Sequence, residues 1–223
     1  MKRKNSLFSD LSEEELVILD ENRYSVFYKS GEVICKAGTK PLGLICLNRG
    51  KVKIVRRGMN GINQILGLRK ALDFLGFKAF ISGERLLSTT IALEESQVCV
   101  IDRKNFFEVV EKNNDLAKKI MRFLAKELRN TDNRLVNLTQ KHLRGRLAET
   151  LLMIYDTFGT DPKSGYLKVR LKRYELAALS NMNTANAIRV LGSFKKANLL
   201  VAEKQNIRLI DLKALKEISD FDK

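Results

Sequence analysis

The chain has 223 residues, which is enough for one large domain or two modest ones. Lys and Arg outnumber Asp and Glu by 41 to 26, and the formal charge of +15 indicates a polyanionic partner, either a nucleic acid or an anionic membrane surface. Hydrophobic residues make up 44%, so a folded core is expected and a disordered chain is not.

Membrane insertion and secretion are not indicated by the sequence. Apolar runs are short, as at Val98–Ile101, whereas a membrane-spanning helix needs about 20 such residues. The basic start at Met1–Lys4 is followed by Ser6 and Asp10, which interrupt any signal-peptide core. We therefore expect a cytoplasmic protein without a membrane partner.

Few residues are suited to metal or enzyme chemistry. The three cysteines, Cys35, Cys46 and Cys99, are widely spaced in apolar stretches, so we interpret them as small buried hydrophobes. A single histidine, His142, excludes sites that need several histidines, and no Gly-rich phosphate loop or nucleophile elbow is present. We expect no catalytic residue, no metal site and no enzyme activity, with His142 as a polar residue at a helix junction.

The first predicted element is a helix that ends near Asp20. Ser12 and Glu15 have the Ser-x-x-Glu spacing of a capping box, which satisfies free backbone N–H groups at a helix start. This pattern places the beginning of the helix at Ser12.

The region from Tyr24 to about Arg103 has the texture of an all-β domain. Short β-branched and apolar runs alternate with single glycines, and Val52 and Ile54 alternate with lysines as in a half-buried strand. Many short strands with glycine turns predict an antiparallel barrel or sandwich-like roll. The texture alone identifies no ligand.

The region from Asn113 to about Leu138 is predicted to form one long helix. Apolar residues recur at alternating spacings of four and three, which is the heptad pattern of a two-stranded coiled coil. The alternative is a helix that packs on its own domain through the same stripe. The repeating positions are Ala117, Met121, Leu124, Leu128, Thr131, Leu135 and Leu138.

The remaining residues are strongly basic and mostly helical. Residues 139–196 contain eleven Lys or Arg and four Asp or Glu, an excess of seven positive charges. The expected elements are a helix at Gly145–Phe158, a short strand at Tyr166–Leu171, helices at Arg173–Ser180 and Thr184–Lys196, a hairpin of Leu199–Ala202 with Ile207–Ile210, and a last helix capped by Asp211.

The two short helices have the spacing of a helix-turn-helix. Ala177 is small enough for close helix approach, Asn181 tolerates a left-handed backbone in the turn, and Asn183 can cap the second helix. A following hairpin makes the unit a winged helix, and the basic charge weighs against an ordinary helical hairpin. The expected core positions are Leu176, Met182, Ala187, Val190 and Leu191.

These motifs resemble, in order and over nearly the whole chain, those of the Crp/Fnr transcription regulators. The matching segments are Phe27-x3-Gly31-x2-Ile34-x3-Gly38, Ile45-x4-Gly50-x-Val52, Asp73-Phe74-Leu75-Gly76, Gly145-Arg146-Leu147-Ala148 and Lys172-Arg173-Tyr174-Glu175-Leu176-Ala177.

The resemblance implies an α+β protein in three parts. These are an N-terminal antiparallel β-roll sensor of the cyclic-nucleotide-binding, jelly-roll type at 1–112, a dimerisation helix at 113–138 and a C-terminal winged helix-turn-helix at 139–223. It further implies a homodimer that binds a palindromic operator in double-stranded DNA and works with RNA polymerase. The expected dimer seam is Met121, Leu124, Leu128 and Leu135, and the expected DNA-binding residues are Lys172, Arg173, Asn183, Thr184, Ala185, Asn186 and Arg189.

Bases are expected to be read by the helix from Thr184 to Lys196. Relatives that recognise a guanine-rich half-site carry Arg, Glu and a later Arg, whereas this chain has Thr184 and Ala185 and keeps only Arg189. Thr and Ala can pack on a thymine methyl, and Arg can fork onto guanine or a phosphate. Asn183 and Asn186 are candidates for adenine contacts, so the operator is expected to differ.

The effector pocket departs from the cyclic-nucleotide pattern. Members that bind these ligands have a phosphate-binding cassette, a segment with Glu directly after its glycine and an Arg-Ser pair further on. At these positions this chain has Phe77 after Gly76, and Leu86-Leu87 in place of the Arg-Ser pair. Arg85 is one residue out of register and is the remaining candidate for the phosphate. Thr131 matches the adenine-contacting position of the long helix. We therefore expect no cyclic AMP binding, and the effector is unknown.

The resemblance raises two other sensing chemistries, an iron–sulfur cluster and a haem. Oxygen-sensing relatives hold an iron–sulfur cluster on cysteines near the N-terminus, and this chain has none before Cys35. Haem stays open because Met and Cys can ligate iron. The alternative function is a cyclic-nucleotide-binding regulatory module whose basic C-terminal domain docks a protein partner, and palindrome binding distinguishes the two.

Overall fold

A computed structural model describes residues 7–58, 61 and 63–221, so the basic start at Met1–Lys4 and Ser6 lie outside the described residues. Within them the chain forms two compact units. Unit 1 contains the residues up to Arg56 and Leu68–Asp132, and unit 2 contains Arg57–Gly67 and the residues from Asn133 onward. None of the helices in the described part is long and apolar enough to cross a membrane.

Most strands of two four-stranded sheets lie in unit 1, although the strand Asn63–Lys70 begins in unit 2 and ends in unit 1. The strands are β1 (Tyr24–Tyr28), β2 (Val33–Cys35), β3 (Gly43–Arg49), β4 (Lys51–Arg57), β5 (Asn63–Lys70), β6 (Phe74–Leu75), β7 (Thr89–Ala92) and β8 (Ser96–Asp102). One sheet has the strand order β1-β8-β3-β6 and the other β2-β7-β4-β5, and the β1–β8, β3–β8, β3–β6, β2–β7 and β4–β7 pairs are antiparallel. This arrangement confirms the predicted antiparallel roll.

Three helices accompany these strands, and a fourth leaves the unit. The predicted capping box of α1 is present, since the Ser12 backbone N–H donates to a Glu15 carboxylate oxygen at 2.7 Å and the Glu15 N–H donates to Ser12 Oγ at 3.2 Å. The helices are α1 (Glu13–Asp20), α2 (Phe77–Ser82), α3 (Arg103–Lys112) and α4 (Asn114–Gln140), of which α4 ends in unit 2.

Two apolar clusters hold unit 1 together. One fills the roll with aliphatic side chains such as Leu47, Val52 and Val98. The other joins α1, α2, α3 and the start of α4 to the sheet and includes Phe80 and Phe106, both fully buried with ring centroids 5.2 Å apart. Burial of this much apolar surface is the main stabilising contribution.

Unit 2 has the predicted winged-helix content. The hairpin turn is the dipeptide Lys204-Gln205, with Glu203 opposite Asn206, and the Ala214 backbone N–H donates to the Asp211 carboxylate at 2.9 Å, which confirms the predicted cap. The elements are α5 (Leu143–Phe158), α6 (Arg173–Leu179), α7 (Thr184–Lys196), β9 (Leu200–Glu203), β10 (Asn206–Leu209) and α8 (Leu212–Phe221).

The strand predicted at Tyr166–Leu171 is wrong. Only Leu167 makes a bridge, with Thr160, and its backbone N–H donates to the Ile207 carbonyl at 2.8 Å. The next amide, of Lys168, donates instead to the Gly159 carbonyl at 3.1 Å. Because successive N–H groups bond to different segments, no ladder continues, although apolar side chains here are buried alternately.

Candidate nucleic-acid interface and effector pocket

The turn between α6 and α7 has the geometry that the sequence predicted. Asn181 has a φ of 52°, in the left-handed region that Asn tolerates. The Met182 backbone N–H donates to the Ala177 carbonyl at 3.0 Å, and Arg146 donates to the Asn181 carbonyl at 2.9 Å. Arg146 therefore stabilises the turn, and the sequence did not indicate that Arg146 is a partner of Asn181.

The inner faces of both helices are buried in unit 2. Leu176 and Ala177 of α6 are almost fully covered, and so are Ala187 and Leu191 of α7. The hydroxyl of Ser180, at the end of α6, lies 3.0 Å from that of Thr150 on α5. This packing fixes the orientation of α7 within the unit.

The outer face of α7 is free of such packing. The Asn183 side chain accepts from the Asn186 backbone N–H at 2.7 Å, which confirms its capping role. The Asn186 side-chain oxygen in turn accepts from Arg189 at 3.2 Å. Exposed residues recur at the spacing of one helix face, at Thr184, Ala185, Ile188, Arg189 and Gly192.

Ile188 is a candidate that the motifs did not indicate. Its side chain is 53% exposed, four residues after Thr184 and one before Arg189. Helical spacing from Thr184 was the signal that could have identified it.

The two basic residues at the start of α6 differ in their surroundings. Lys172 is exposed, with its Nζ atom 5.8 Å from the centroid of the Tyr174 ring. Arg173 is half-buried, and its Nη1 atom has no hydrogen-bond partner among the described residues. Burial lowers the pKa of the Arg173 guanidinium from its usual value, yet a guanidinium stays charged at neutral pH.

The four residues of the predicted dimer seam of α4 differ in their burial. Leu124 packs, partly buried, against the core of unit 1. Met121 and Leu128 are each 62% exposed and Leu135 is 63% exposed. Since these three residues are seven apart, they lie on one stripe of α4, and each remains more than three-fifths exposed.

In the predicted effector pocket, the space beside Gly76 is occupied by the side chain of Leu86. Gly76 has a φ of 68°, and a Cβ atom added to it would lie 2.6 Å from Leu86 Cδ2. Leu86 is 7% exposed and belongs to the aliphatic core of the roll. Phe77 is also buried, with its ring centroid 5.2 Å from those of Phe74 and Phe123.

The remaining predicted pocket residues lie at the surface. Arg85 is exposed, and its Nη1 atom donates to the Gly38 carbonyl at 2.8 Å. Leu87 is 68% exposed. Thr131 is exposed, and its hydroxyl donates to the Glu127 carbonyl of the preceding helical turn at 2.9 Å. Arg85, Leu87 and Thr131 are therefore exposed, whereas Phe77 and Leu86 are buried.

The cysteines are free thiols within strands of the roll. Cys35 and Cys99 are buried as predicted, while Cys46 is half-buried and lies directly opposite Cys99 in the β3–β8 register. Burial raises the pKa of the Cys35 thiol to about 11 and also raises the pKa of Cys46. Three cysteines do not supply the four thiolates of an ordinary iron–sulfur cluster.

His142 lies where the sequence placed it, at the junction between α4 and α5. It is exposed and occupies the position just before the first residue of α5. Among residues 7–58, 61 and 63–221, no group of three or more His, Cys, Asp or Glu side chains is arranged to hold a metal ion.

The chain has relatives over almost its whole length. Residues 25–113 match the cyclic nucleotide-binding domain and residues 145–218 match the Crp-like helix-turn-helix domain. The Fumarate and nitrate reduction regulatory protein of Vibrio cholerae is 27% identical over 218 residues, 96% of this chain and 86% of the relative. The CRP-like cAMP-activated global transcriptional regulator of Mycobacterium tuberculosis is 26% identical over 212 residues, 94% of each chain.

A solved structure has the same fold. It is a transcriptional regulator of the CRP/FNR family from Thermus thermophilus, with a TM-score of 0.74, 22% identity, and coverage of 88% of this chain and 98% of that one. The curated relatives are transcription regulators and not enzymes, which confirms the expectation on enzyme activity. The chain therefore belongs to the Crp/Fnr family of transcription regulators, with a cyclic nucleotide-binding domain followed by a helix-turn-helix domain.

Proposed function

We propose that this protein is a homodimeric regulator that reads a palindromic operator through α7. The observation that carries the proposal is the division of α7 into two faces. Ala187 and Leu191 are buried, whereas Ala185 and Arg189 are exposed on the opposite side and Thr184 is exposed in the first turn. A helix held from behind by its own unit can enter a major groove with its outer face free.

Each outward residue has a chemistry suited to one part of a duplex. The Arg189 guanidinium can fork onto guanine, Asn183 and Asn186 can contact adenine, and Thr184 and Ala185 can pack on thymine methyls. Because Asn186 already accepts from Arg189, the guanidinium is partly oriented before DNA arrives.

We assign Lys172 and Arg173 to contacts with the phosphates of the DNA backbone. Lys172 is exposed and Arg173 is half-buried, and both lie at the start of α6. Phosphate contacts fix the position of a protein on DNA without reading sequence. Each such contact also contributes to the salt dependence of binding.

Dimerisation is assigned to the exposed stripe of α4. Met121, Leu128 and Leu135 repeat every seven residues and expose about three-fifths of each side chain. A second copy of α4 would cover this stripe, while Leu124 continues to pack in its own unit. In this proposal the β-roll spans 1–112, the dimer helix 113–138 and the DNA-binding domain 139–223.

The effector of the β-roll is proposed to be something other than a cyclic nucleotide. Leu86 fills the space beside Gly76, and Phe77 is stacked in the aromatic cluster. A buried phosphate needs a compensating cation, and Arg85 donates instead to the Gly38 carbonyl at the surface. RNA polymerase is the partner that the family resemblance implies, and the cytoplasm is the location that an operator-reading protein requires.

Selection of bound sequences from a pool of random duplexes tests this function. The expected result is a palindrome whose half-sites are about 34 Å apart, one turn of DNA. Enrichment of no palindrome would contradict the proposal and would favour the alternative of a regulatory module that docks a protein.

A further inference from the structure

Ile188 is the largest apolar side chain on the outer face of α7. It is 53% exposed, whereas Val190 and Leu191 on the same helix are 5% and 4% exposed. Single exposed aliphatic residues are common on protein surfaces. Ile188 differs from these because it lies in the middle of the face that the proposed function directs at DNA.

The residues around Ile188 are small. Thr184 and Ala185 precede it by four and three residues on the same face, and Gly192 follows by four. A Cβ atom added to Gly192 would have no neighbour within 4 Å. Ile188 therefore extends beyond Thr184, Ala185 and Gly192, its smaller neighbours at helical spacing, so these three residues do not block its access to a base edge.

The chemistry of the groove restricts what such a side chain can recognise. The thymine C5 methyl is the largest apolar group that base edges present in the major groove, where most of the other edge groups are hydrogen-bond donors or acceptors. An isoleucine offers neither, so it leaves a polar edge desolvated and unpaired, which is unfavourable.

We infer that Ile188, together with Ala185, forms a methyl-reading strip that recognises thymine in each half-site of the operator. The inference rests on the proposed function and adds a specificity-determining residue to it. Since Ile188 is adjacent to Arg189 in the chain, the thymine lies beside the base pair that Arg189 contacts.

Replacement of thymine by deoxyuridine isolates this contact, because it removes the methyl and leaves base pairing unchanged. The full-length protein is titrated against the selected operator and against versions carrying deoxyuridine at each thymine in turn. The protein variants are Ile188→Ala, which removes the contact, and Ile188→Val, which retains most of it.

For wild type we expect one thymine per half-site at which deoxyuridine weakens binding by about fourfold, the contribution of one buried methylene-sized group. In Ile188→Ala the same replacement should have no further effect, since the partner of the methyl is gone. Ile188→Val should keep at least half of the wild-type response.

Two results would overturn the inference. One is a deoxyuridine effect of equal size in wild type and Ile188→Ala, and the other is an equal loss by Ile188→Ala on the operator and on non-specific DNA. Both leave the palindrome intact, so they are distinguishable from failure of the proposed function. If no palindrome is enriched from random duplexes, the proposed function fails and this inference fails with it.

Discussion

The side chain of Leu86 occupies the space next to the Cα of Gly76, with its Cδ2 atom 2.6 Å from where a Cβ atom would be. Gly76 has a φ of 68° and immediately precedes α2, so this position requires both a left-handed backbone and the absence of a side chain. Leu86 is 7% exposed and completes the aliphatic core there. The cassette glycine thus supports internal packing in this roll.

Gly76→Ala should destabilise the protein through both requirements. The left-handed backbone costs roughly 1–2 kcal/mol with a side chain, and overpacking against Leu86 adds about 1–3 kcal/mol. Gly31→Ala is the matched control, because Gly31 has a φ of 90° but no atom within 4 Å of an added Cβ. Urea unfolding should give the larger loss for Gly76→Ala, and equal losses would contradict the packing of Leu86 on Gly76.

Neither cyclic AMP nor cyclic GMP should bind at micromolar concentration. An unpaired phosphate beside Leu86 carries a penalty of several kcal/mol, and each ~1.4 kcal/mol weakens binding tenfold. Titration calorimetry with both nucleotides should therefore show no saturable heat below millimolar ligand. If binding with a micromolar dissociation constant were found and were lost in Arg85→Ala, the Arg85 side chain would have to turn into the pocket. The alignment of Leu86-Leu87 with the Arg-Ser pair of cyclic-nucleotide-binding members would then be wrong.

Local rules predicted the helix-turn-helix well. The turn needs a residue that tolerates a left-handed backbone, and Asn181 is such a residue. The second helix needs a capping residue, and Asn183 is one at the required spacing. The same rules failed at Tyr166–Leu171, where burial alternates but Leu167 and Lys168 bond to different segments. Alternating burial indicates an extended, half-buried chain. A β-strand also needs a neighbouring strand with which successive backbone groups can form hydrogen bonds.

Other features depend on contacts that are distant in sequence. The sequence placed Leu86 in the effector pocket but gave no sign that it packs on Gly76, since this requires the strands to be positioned first. Similarly, Leu124 fits the heptad seam, yet it packs against the core of unit 1. Periodicity identifies an apolar stripe but not which neighbour covers each part of it.

Leu128→Asp should abolish the dimer. Leu128 is 62% exposed on the stripe of α4, and in a dimer its replacement would bury two carboxylates in an apolar seam. Asn130→Asp adds the same charge at an exposed position two residues further along the helix, away from the stripe, and is the control. Analytical ultracentrifugation at micromolar concentration should show dimers for wild type and the control and monomers for Leu128→Asp. A monomeric wild type would contradict the assignment.

The thiols should be unreactive in the folded protein. Burial raises the pKa of Cys35 to about 11, so only roughly one molecule in a thousand has the reactive thiolate at pH 8. Burial raises the pKa of Cys46 as well, and Cys99 is 6% exposed. A chromogenic disulfide reagent should react slowly with native protein and should titrate all 3 cysteines after denaturation. A rapid reaction of more than one thiol in the native state would contradict the buried placement of Cys35 and Cys99.

The most direct test of operator reading by α7 is selection from random duplexes with wild type and Arg189→Ala in parallel. Arg189 is exposed and held by Asn186, so its loss should leave the fold intact. We predict a palindrome for both proteins, with preference lost at one base pair per half-site in Arg189→Ala and affinity lowered by about 1–3 kcal/mol for each contact. Identical base preferences at every position, or no palindrome with wild type, would contradict it.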